Sequence, residues 1–318
     1  MNENLKNLIL SYYNDDPEGF YTFALKIAAQ EAKDGREKDA KELRAVIEKA
    51  VQEKRKKKIY LRSNDDLVQL IESSNSFDDI VIPIRVKKRL QKIIIEYKKR
   101  EQLKNYGLDN RKKILISGPP GTGKTMTASV ISNEIKLPFY VISMDKIITK
   151  YMGETSVKLR MVFEMIEENP GVYLFDEFDA IGAERSSGND VGEMRRVVNS
   201  FLQLLEQSNS NSLIIAATNN QKILDTALFR RFDDIIVYEL PKSDEIEELV
   251  NLKIGYFLDG ISDLREIVEL CLGLSHSEIA NACKDSMKDM VINERRKIDL
   301  EIFKTAVTYR RSPYENRL

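Results

Sequence analysis

The strongest chemistry in this sequence lies in eight consecutive residues, Gly118-Pro119-Pro120-Gly121-Thr122-Gly123-Lys124-Thr125, an unbroken match to G-x-x-x-x-G-K-[ST]. Glycines at these positions let the backbone turn its N–H groups inward around phosphate oxygens. Lys124 can then place its charge on the β- and γ-phosphates, and the Thr125 hydroxyl can ligate the Mg²⁺ that accompanies them. The spacing predicts a nucleoside triphosphate site contacted by Pro120, Gly121, Thr122, Gly123, Lys124, Thr125 and Met126. A second group follows about fifty residues on, where Val172-Tyr173-Leu174-Phe175-Asp176-Glu177 is an apolar run ending in two acids. Asp176 is placed to hold the Mg²⁺ shell opposite Thr125, and Glu177 to orient or deprotonate a water for attack on the γ-phosphate.

Both groups need strands to carry them. Lys113 to Ser117 reads as a short buried strand before the glycine-rich loop, and Met126 to Ile135 as a helix after it, the order such a loop requires. Five apolar runs recur between helical patterns: Ile114 to Ile116, Tyr140 to Ile142, Val172 to Phe175, Leu213 to Ala216, and Ile235 to Val237. Near-continuous apolarity is the mark of strands buried on both faces, so the pattern predicts an α/β domain with a parallel sheet, spanning residues 76–240. Beyond Pro241 only helical patterns follow, over 243–258, 262–272, 275–293 and 299–309, which predicts a helical lid domain at 241–318. Residues 1–75 read as a separate helical hairpin. Its apolar positions are Phe20, Phe23, Ala24, Ile27 and Ala28, then Ala40, Leu43, Val46, Ile47 and Ala50, with Gly35 as the break. Residues 64–76 read as a short helix and a polar linker.

Lys plus Arg number 50 against 51 Asp plus Glu, so overall charge selects neither a nucleic-acid nor a membrane-surface protein. Two local basic stretches stand out. One is Lys54 to Lys58; the other runs from Arg85 to Lys113, with twelve basic residues against three acidic ones. Apolar residues Ile93, Ile94, Ile95 and Leu103 interrupt the second at helical spacing, which favours an amphipathic helix with a charged outer face over a nucleic-acid patch. Two cysteines, Cys271 and Cys283, and one histidine, His276, form neither a disulfide framework nor a zinc site by themselves. With no spanning segment or signal-peptide order, a cytoplasmic protein without membrane contact is expected.

Taken together, these motifs resemble the AAA+ ATPases, and within them the AAA proteins proper, over residues 77 to about 284. The resemblance implies a P-loop core with a helical lid, hydrolysis of ATP with Mg²⁺, and assembly into a homo-oligomer, a hexameric ring. Phe77-Asp78-Asp79-Ile80 is similar to the family segment that lies against adenine, which implies that role for Asp79 and Ile80. Ala217-Thr218-Asn219 resembles sensor 1, implying that Asn219 helps position the attacking water. Leu224 to Asp233 resembles the segment bearing arginine fingers, which implies that Arg230 and Arg231 reach the active site of the next subunit. In many family members Pro-Gly separates the two arginines, whereas here they adjoin. Gly273-Leu274-Ser275-His276-Ser277-Glu278-Ile279 resembles the lid motif beside the nucleotide, with His276 where Gly is usual.

One further loop bears on the use of the energy. Thr149-Lys150-Tyr151-Met152-Gly153-Glu154-Thr155 resembles pore loop 1 of protein-remodelling members. Tyr151 and Met152 would grip diverse side chains through apolar contact, and Gly153 would let the loop move. Residues 182–192 are a polar, glycine-flanked stretch suited to a second pore loop. These features predict an ATPase that pulls a protein substrate through a ring, recruits it by the N-terminal hairpin, and works with a separate effector or peptidase. The alternative is a nucleic-acid-transaction ATPase of the loader kind, using the basic stretches at 54–58 and 85–113.

Overall fold

The computed structural model describes residues 3–13, 17–33, 35–36, 38, 40–45, 67–148, 152–180, 191–219, 230–258 and 264–315. The chain divides into two compact units, Met1–Asp66 and Leu67–Leu318. In the first, helices α1 (Glu3–Tyr13) and α2 (Pro17–Lys33) pack on each other. Gly35, at φ 82°, follows α2, and residues 40–45 are again helical. Helix α1 lies ahead of the residues expected to form the hairpin, and Val46, Ile47 and Ala50 of its expected second helix lie outside the described residues. The basic stretch Lys54 to Lys58 lies outside the described residues.

The second unit is built on a six-stranded sheet. Its strands are β1 (Val68–Ile71), β2 (Lys113–Ser117), β3 (Phe139–Ser143), β4 (Val172–Asp176), β5 (Leu213–Thr218) and β6 (Asp234–Val237), in the spatial order β1-β3-β4-β5-β2-β6. The five apolar runs are β2 to β6, and all their pairings are parallel. β1 overturns the expectation of a short helix over 64–76: Val68-Gln69-Leu70-Ile71 pairs antiparallel with β3 at the sheet edge. A four-residue strand with Leu70 more than half exposed carries too little periodicity to distinguish it from a helical turn.

Alternation along the strands builds two cores. Ile114 and Ile116 of β2, Val172 and Leu174 of β4 and Ile215 and Ala217 of β5 face α3 (Ile84–Lys98) and α5 (Lys124–Ile135). On the other face Phe175 of β4 meets Phe163 of α7 (Met152–Glu168) and Phe201 of α8 (Val191–Gln207), with ring centroids 5.8 and 5.1 Å away. Two short helices, α4 (Arg100–Asn105) and α6 (Met144–Ile147), complete the set. The lid helices α9 (Ser243–Ile254), α10 (Arg265–Cys271), α11 (His276–Ile292) and α12 (Leu300–Glu315) enclose a third cluster. Burial there pushes the thiols of Cys271 and Cys283 up to about 12, so both behave as apolar packing groups. Val81 enters the lid cluster while Ile80 and Ile82 enter the sheet cluster, so this extended segment ties the two together.

Much of the basic stretch at 85–113 is neutralised internally. Arg85 pairs with Glu239, Arg89 with Asp234, Lys98 with Glu134, and Arg111 with both Glu96 and Asp234. Ile93 and Ile94 are buried as their spacing predicts, whereas Ile95 is exposed. Among the described residues, no helix is long and apolar enough to cross a membrane.

Candidate active site

The site forms where β2, β4 and β5 end. Residues 118–123 bridge β2 to α5 as the sequence requires, and three glycines in them hold positive φ: Gly118 at 156°, Gly121 at 73° and Gly123 at 95°. Two are also places of close approach. A Cβ on Gly118 would stand 2.5 Å from the Tyr238 carbonyl oxygen, and one on Gly121 would stand 2.6 Å from Ser275 Oγ. The loop is thus clamped between the segment following β6 and the lid. Ser277 N–H donates to the Gly121 carbonyl at 3.0 Å, and Thr122 Oγ donates to the Pro119 carbonyl at 2.8 Å.

Lys124 opens α5 and is buried, its ammonium donating to the carbonyls of Gly118 (2.8 Å) and Pro119 (2.9 Å) and to Asn219 Oδ1 (2.7 Å). Burial lowers the lysine pKa, and the nearby carboxylates of Asp176 and Asp179 partly restore it. Thr125 Oγ donates to Asp176 Oδ2 at 2.8 Å, so the hydroxyl and carboxylate that sequence assigned to one metal shell are in contact. Glu177 follows with its side chain exposed and its backbone at φ 52°, a left-handed conformation that costs a non-glycine residue about 1–2 kcal/mol. The turn is held by Glu177 N–H on Asp176 Oδ1 (2.9 Å) and Phe178 N–H on the Ala217 carbonyl (2.8 Å). That conformation swings the Glu177 carboxylate out of the strand line.

Asn219 lies just past β5, its backbone N–H on Asp179 Oδ1 at 3.1 Å and its side chain on Lys124. Ile80 Cδ1 approaches Gly123, 3.8 Å from where a Cβ would be. Asp79 is turned to its own backbone, accepting from Ser76 N–H at 2.7 Å and Ser76 Oγ at 2.9 Å, and these bonds lower its pKa. Met126 is half-buried against the sheet core. His276 begins α11, with Ser275 as its N-cap through a capping box with Glu278. Neither His276 ring nitrogen has a hydrogen-bond partner among the described residues; burial lowers its pKa against a smaller opposing pull from Glu245. A cleft of about 670 Å³ opens beside the loop, lined by Pro119, Pro120 and Gly121, by the lid residues Gly273 and Ser275, and by Arg311 of α12.

Arg230 and Arg231 are exposed and stand elsewhere. They precede β6, which runs parallel to β2 with Ile114 beside Asp234 and Ser117 beside Val237. Since Gly118 follows the far end of β2, roughly four strand residues, or about 13 Å, separate the arginine pair from the phosphate-loop end. Arg231 is ion-paired with Glu206 of α8.

Residues 114–240, from within β2 to just past β6, match the family described as "ATPase family associated with various cellular activities (AAA)". The chain is 31% identical over 312 residues to the AAA family ATPase y4kL of Sinorhizobium fredii, covering 96% of this chain and 94% of that one. It belongs to the AAA family of ATPases. As a member of that family it binds ATP and hydrolyses it. It is also 32% identical over 232 residues to the proteasome-activating nucleotidase of Methanothermobacter thermautotrophicus, and 30% over 263 residues to the ATP-dependent zinc metalloprotease FtsH of Parabacteroides distasonis. These matches take in 70% and 80% of this chain but only 56% and 37% of those relatives.

Against this AAA framework, the structure brings together the predicted Gly121, Gly123, Lys124, Thr125, Asp176, Glu177 and Asn219, with Ile80 at the rim. One expectation changes. Met152 and Gly153 lie in the first turn of α7 rather than in a loop, because the helical pattern of 152–168 extends back over them. Tyr151 and residues 181–190 of the expected second pore loop lie outside the described residues. Sequence reasoning missed Tyr238, which lies over Gly118 and whose hydroxyl meets Thr127 Oγ at 2.6 Å, and Asp179, which orients Asn219. Asp179 had a signal, as the third acid of Asp176-Glu177-Phe178-Asp179; Tyr238 had none.

Proposed function

We propose that the protein is an ATP-driven remodelling machine whose hydrolytic site is completed by a neighbouring copy. The observation that carries this reading is the separation just described. Lys124, Thr125, Asp176, Glu177 and Asn219 gather at one end of the parallel sheet, while the exposed Arg230 and Arg231 stand at the other. An arginine pair so placed is away from its own phosphate loop, which supports service to a site of another subunit, as a homo-oligomeric ring, a hexamer, would present.

In this reading, residues 118–125 receive the triphosphate of ATP. Its β- and γ-phosphates replace the carbonyls of Gly118 and Pro119 as partners of the Lys124 ammonium. The contacting Thr125 hydroxyl and Asp176 carboxylate fit a Mg²⁺ shell, since both are hard oxygen donors at the edge of an anion cradle. When bound, the cation neutralises charge building on the phosphate oxygens. Glu177 orients water for in-line attack, Asn219 holds that water and the lysine in register, and Arg230 with Arg231 of the adjoining copy stabilises the transition-state charge. The segment with Asp79 and Ile80 and the lid residue His276 border the base.

The N-terminal unit recruits a polypeptide, and Tyr151 with Met152 grips it. The relatives named for proteasome activation and for zinc metalloprotease activity support a polypeptide as the working substrate. A separate effector or peptidase partner would receive the product. The test is unfolding of a tagged fluorescent protein by the full chain. The Arg230→Ala, Arg231→Ala double variant should retain ATP binding and lose hydrolysis. Tyr151→Ala should hydrolyse ATP yet leave the fluorescence intact. Hydrolysis undiminished in the first, or unfolding undiminished in the second, overturns the corresponding half of the reading.

A further inference from the structure

The segment that follows Arg230 is anchored to three different elements within four residues. Arg231 pairs with Glu206 of α8. Asp233 Oδ2 accepts the backbone N–H groups of Lys112 (2.8 Å) and Lys113 (2.9 Å), while its own N–H donates to the Lys113 carbonyl at 2.8 Å. Asp234, whose side chain is 0% exposed, meets Arg111 and also Arg89 of α3, the latter through charge and without an aligned hydrogen bond. Between Asp233 and Arg231, Phe232 is buried.

Arg111 is the hub of this arrangement. Its Nε and one terminal nitrogen hold the two oxygens of Glu96 at 2.9 and 2.6 Å, and its other terminal nitrogen holds Asp234. Its backbone N–H adds a bond to Glu96 at 3.3 Å. A planar five-donor fork holds one carboxylate through two parallel bonds while a further N–H reaches a second carboxylate, which a lysine ammonium does not reproduce. A carboxylate buried this fully is an indifferent source of stability, because desolvation offsets most of the Coulomb gain and an apolar group would do as well. What a bidentate ion network supplies is direction, and here it fixes the foot of β6, three residues from Arg231. None of these groups touches the phosphate loop of its own subunit.

We infer that Arg111, held by Glu96 and clamped on Asp234, is a positioning residue for the arginine pair, and so governs hydrolysis in the neighbouring subunit rather than in its own. This rests on the trans role given to Arg230 and Arg231 above.

The experiment uses the full chain, with binding of a fluorescent ATP analogue, steady-state ATPase, and mixing of variants. Arg111→Met should bind the analogue within about twofold of the parent and hydrolyse ATP at least about tenfold more slowly, part of the roughly 10³ to 10⁵ that a correctly placed arginine contributes. Arg111→Lys, which keeps the charge but not the fork, should fall between; should Arg111→Met fail to fold by circular dichroism, Arg111→Lys and Asp234→Asn carry the test under the same criteria.

The decisive reading is complementation. Lys124→Ala lacks its own site but keeps its arginines, so mixing it with Arg111→Met should raise hydrolysis above the sum of the two proteins assayed separately, which a general loss of structure would not permit. Parent-like ATPase, lost nucleotide binding, or no restoration overturns the inference. The Arg230→Ala, Arg231→Ala double variant mixed with Lys124→Ala is the control. If the control recovers and the Arg111 mixture does not, only the positioning role fails; if neither recovers, the trans reading itself fails.

Discussion

The two ends of β2 and its parallel neighbours solve opposite problems. At the C-terminal ends stand three glycines at positive φ, a lysine bonded to backbone carbonyls, and a glutamate in a left-handed turn. At the N-terminal end of β6 stand an embedded aspartate shared by Arg89 and Arg111, and a glutamate held by Arg111. The first end is built of groups whose present partners can be exchanged for phosphate, so it must tolerate local strain and rearrangement. The second is built of fixed ion pairs, and the arginine pair beside it is exposed. A site open to a ligand and a fixed ion-pair network call for different physics. Five residues of strand join the two.

The comparison breaks most readily at the receiving end. Glu177→Gln should retain ATP binding and reduce turnover by about 10² to 10⁴, the usual range for losing a positioned general base; single-turnover hydrolysis near the parent rate would remove Glu177 from that role. Gly121→Ala comes next, since it forces a side chain into a left-handed backbone at about 1–2 kcal/mol and drives a Cβ against Ser275 Oγ. Titration with a fluorescent ATP analogue should show affinity weakened by roughly tenfold or more. An unchanged Kd would mean that the loop and lid do not need their close approach.

The ion-paired end should be touched by acid rather than by loop substitutions. The Arg111 guanidinium beside Glu96 holds that carboxyl below its ordinary value of 4.5, so the stabilisation is complete above that pH and is lost as the pH falls through the depressed value. Chemical denaturation below pH 4.5 should show Arg111→Met losing less stability on acidification than the parent, by about 1 kcal/mol given the partial solvent exposure of the pair.

The smallest effect belongs to His276. Burial lowers its pKa from 6.5, so the folded protein favours the neutral ring; stability should be greatest above pH 6.5 and decline as the pH falls below it. With both ring nitrogens lacking hydrogen-bond partners, His276→Leu should change stability at pH 8 by less than about 1 kcal/mol and flatten the decline toward pH 5.5. Parallel pH profiles for the two proteins would assign the decline to another group.

Residue types and their spacing were enough to expose the phosphate loop, the acids after β4, the five parallel strands and the helical lid. Each is a local pattern: a glycine set before Lys124, an apolar run long enough for a buried strand, a helical period. β1 escaped because its strand character comes from pairing with β3, not from Val68 to Ile71 themselves. Met152 and Gly153 were read as loop because an aromatic-apolar-glycine triplet gives no sign of where α7 begins.

What only the tertiary structure decided concerns partners distant in sequence. Asn219 sits on Lys124, Ser277 on Gly121, Tyr238 over Gly118, and Asp234 between Arg89 and Arg111. The sequence by itself established that a nucleoside triphosphate is cradled, because backbone shape and side-chain chemistry are encoded within eight residues. That the cradle and the arginine pair adjoin opposite ends of neighbouring strands follows from parallel strand pairing, which joins residues more than a hundred positions apart and is fixed only once the chain has folded.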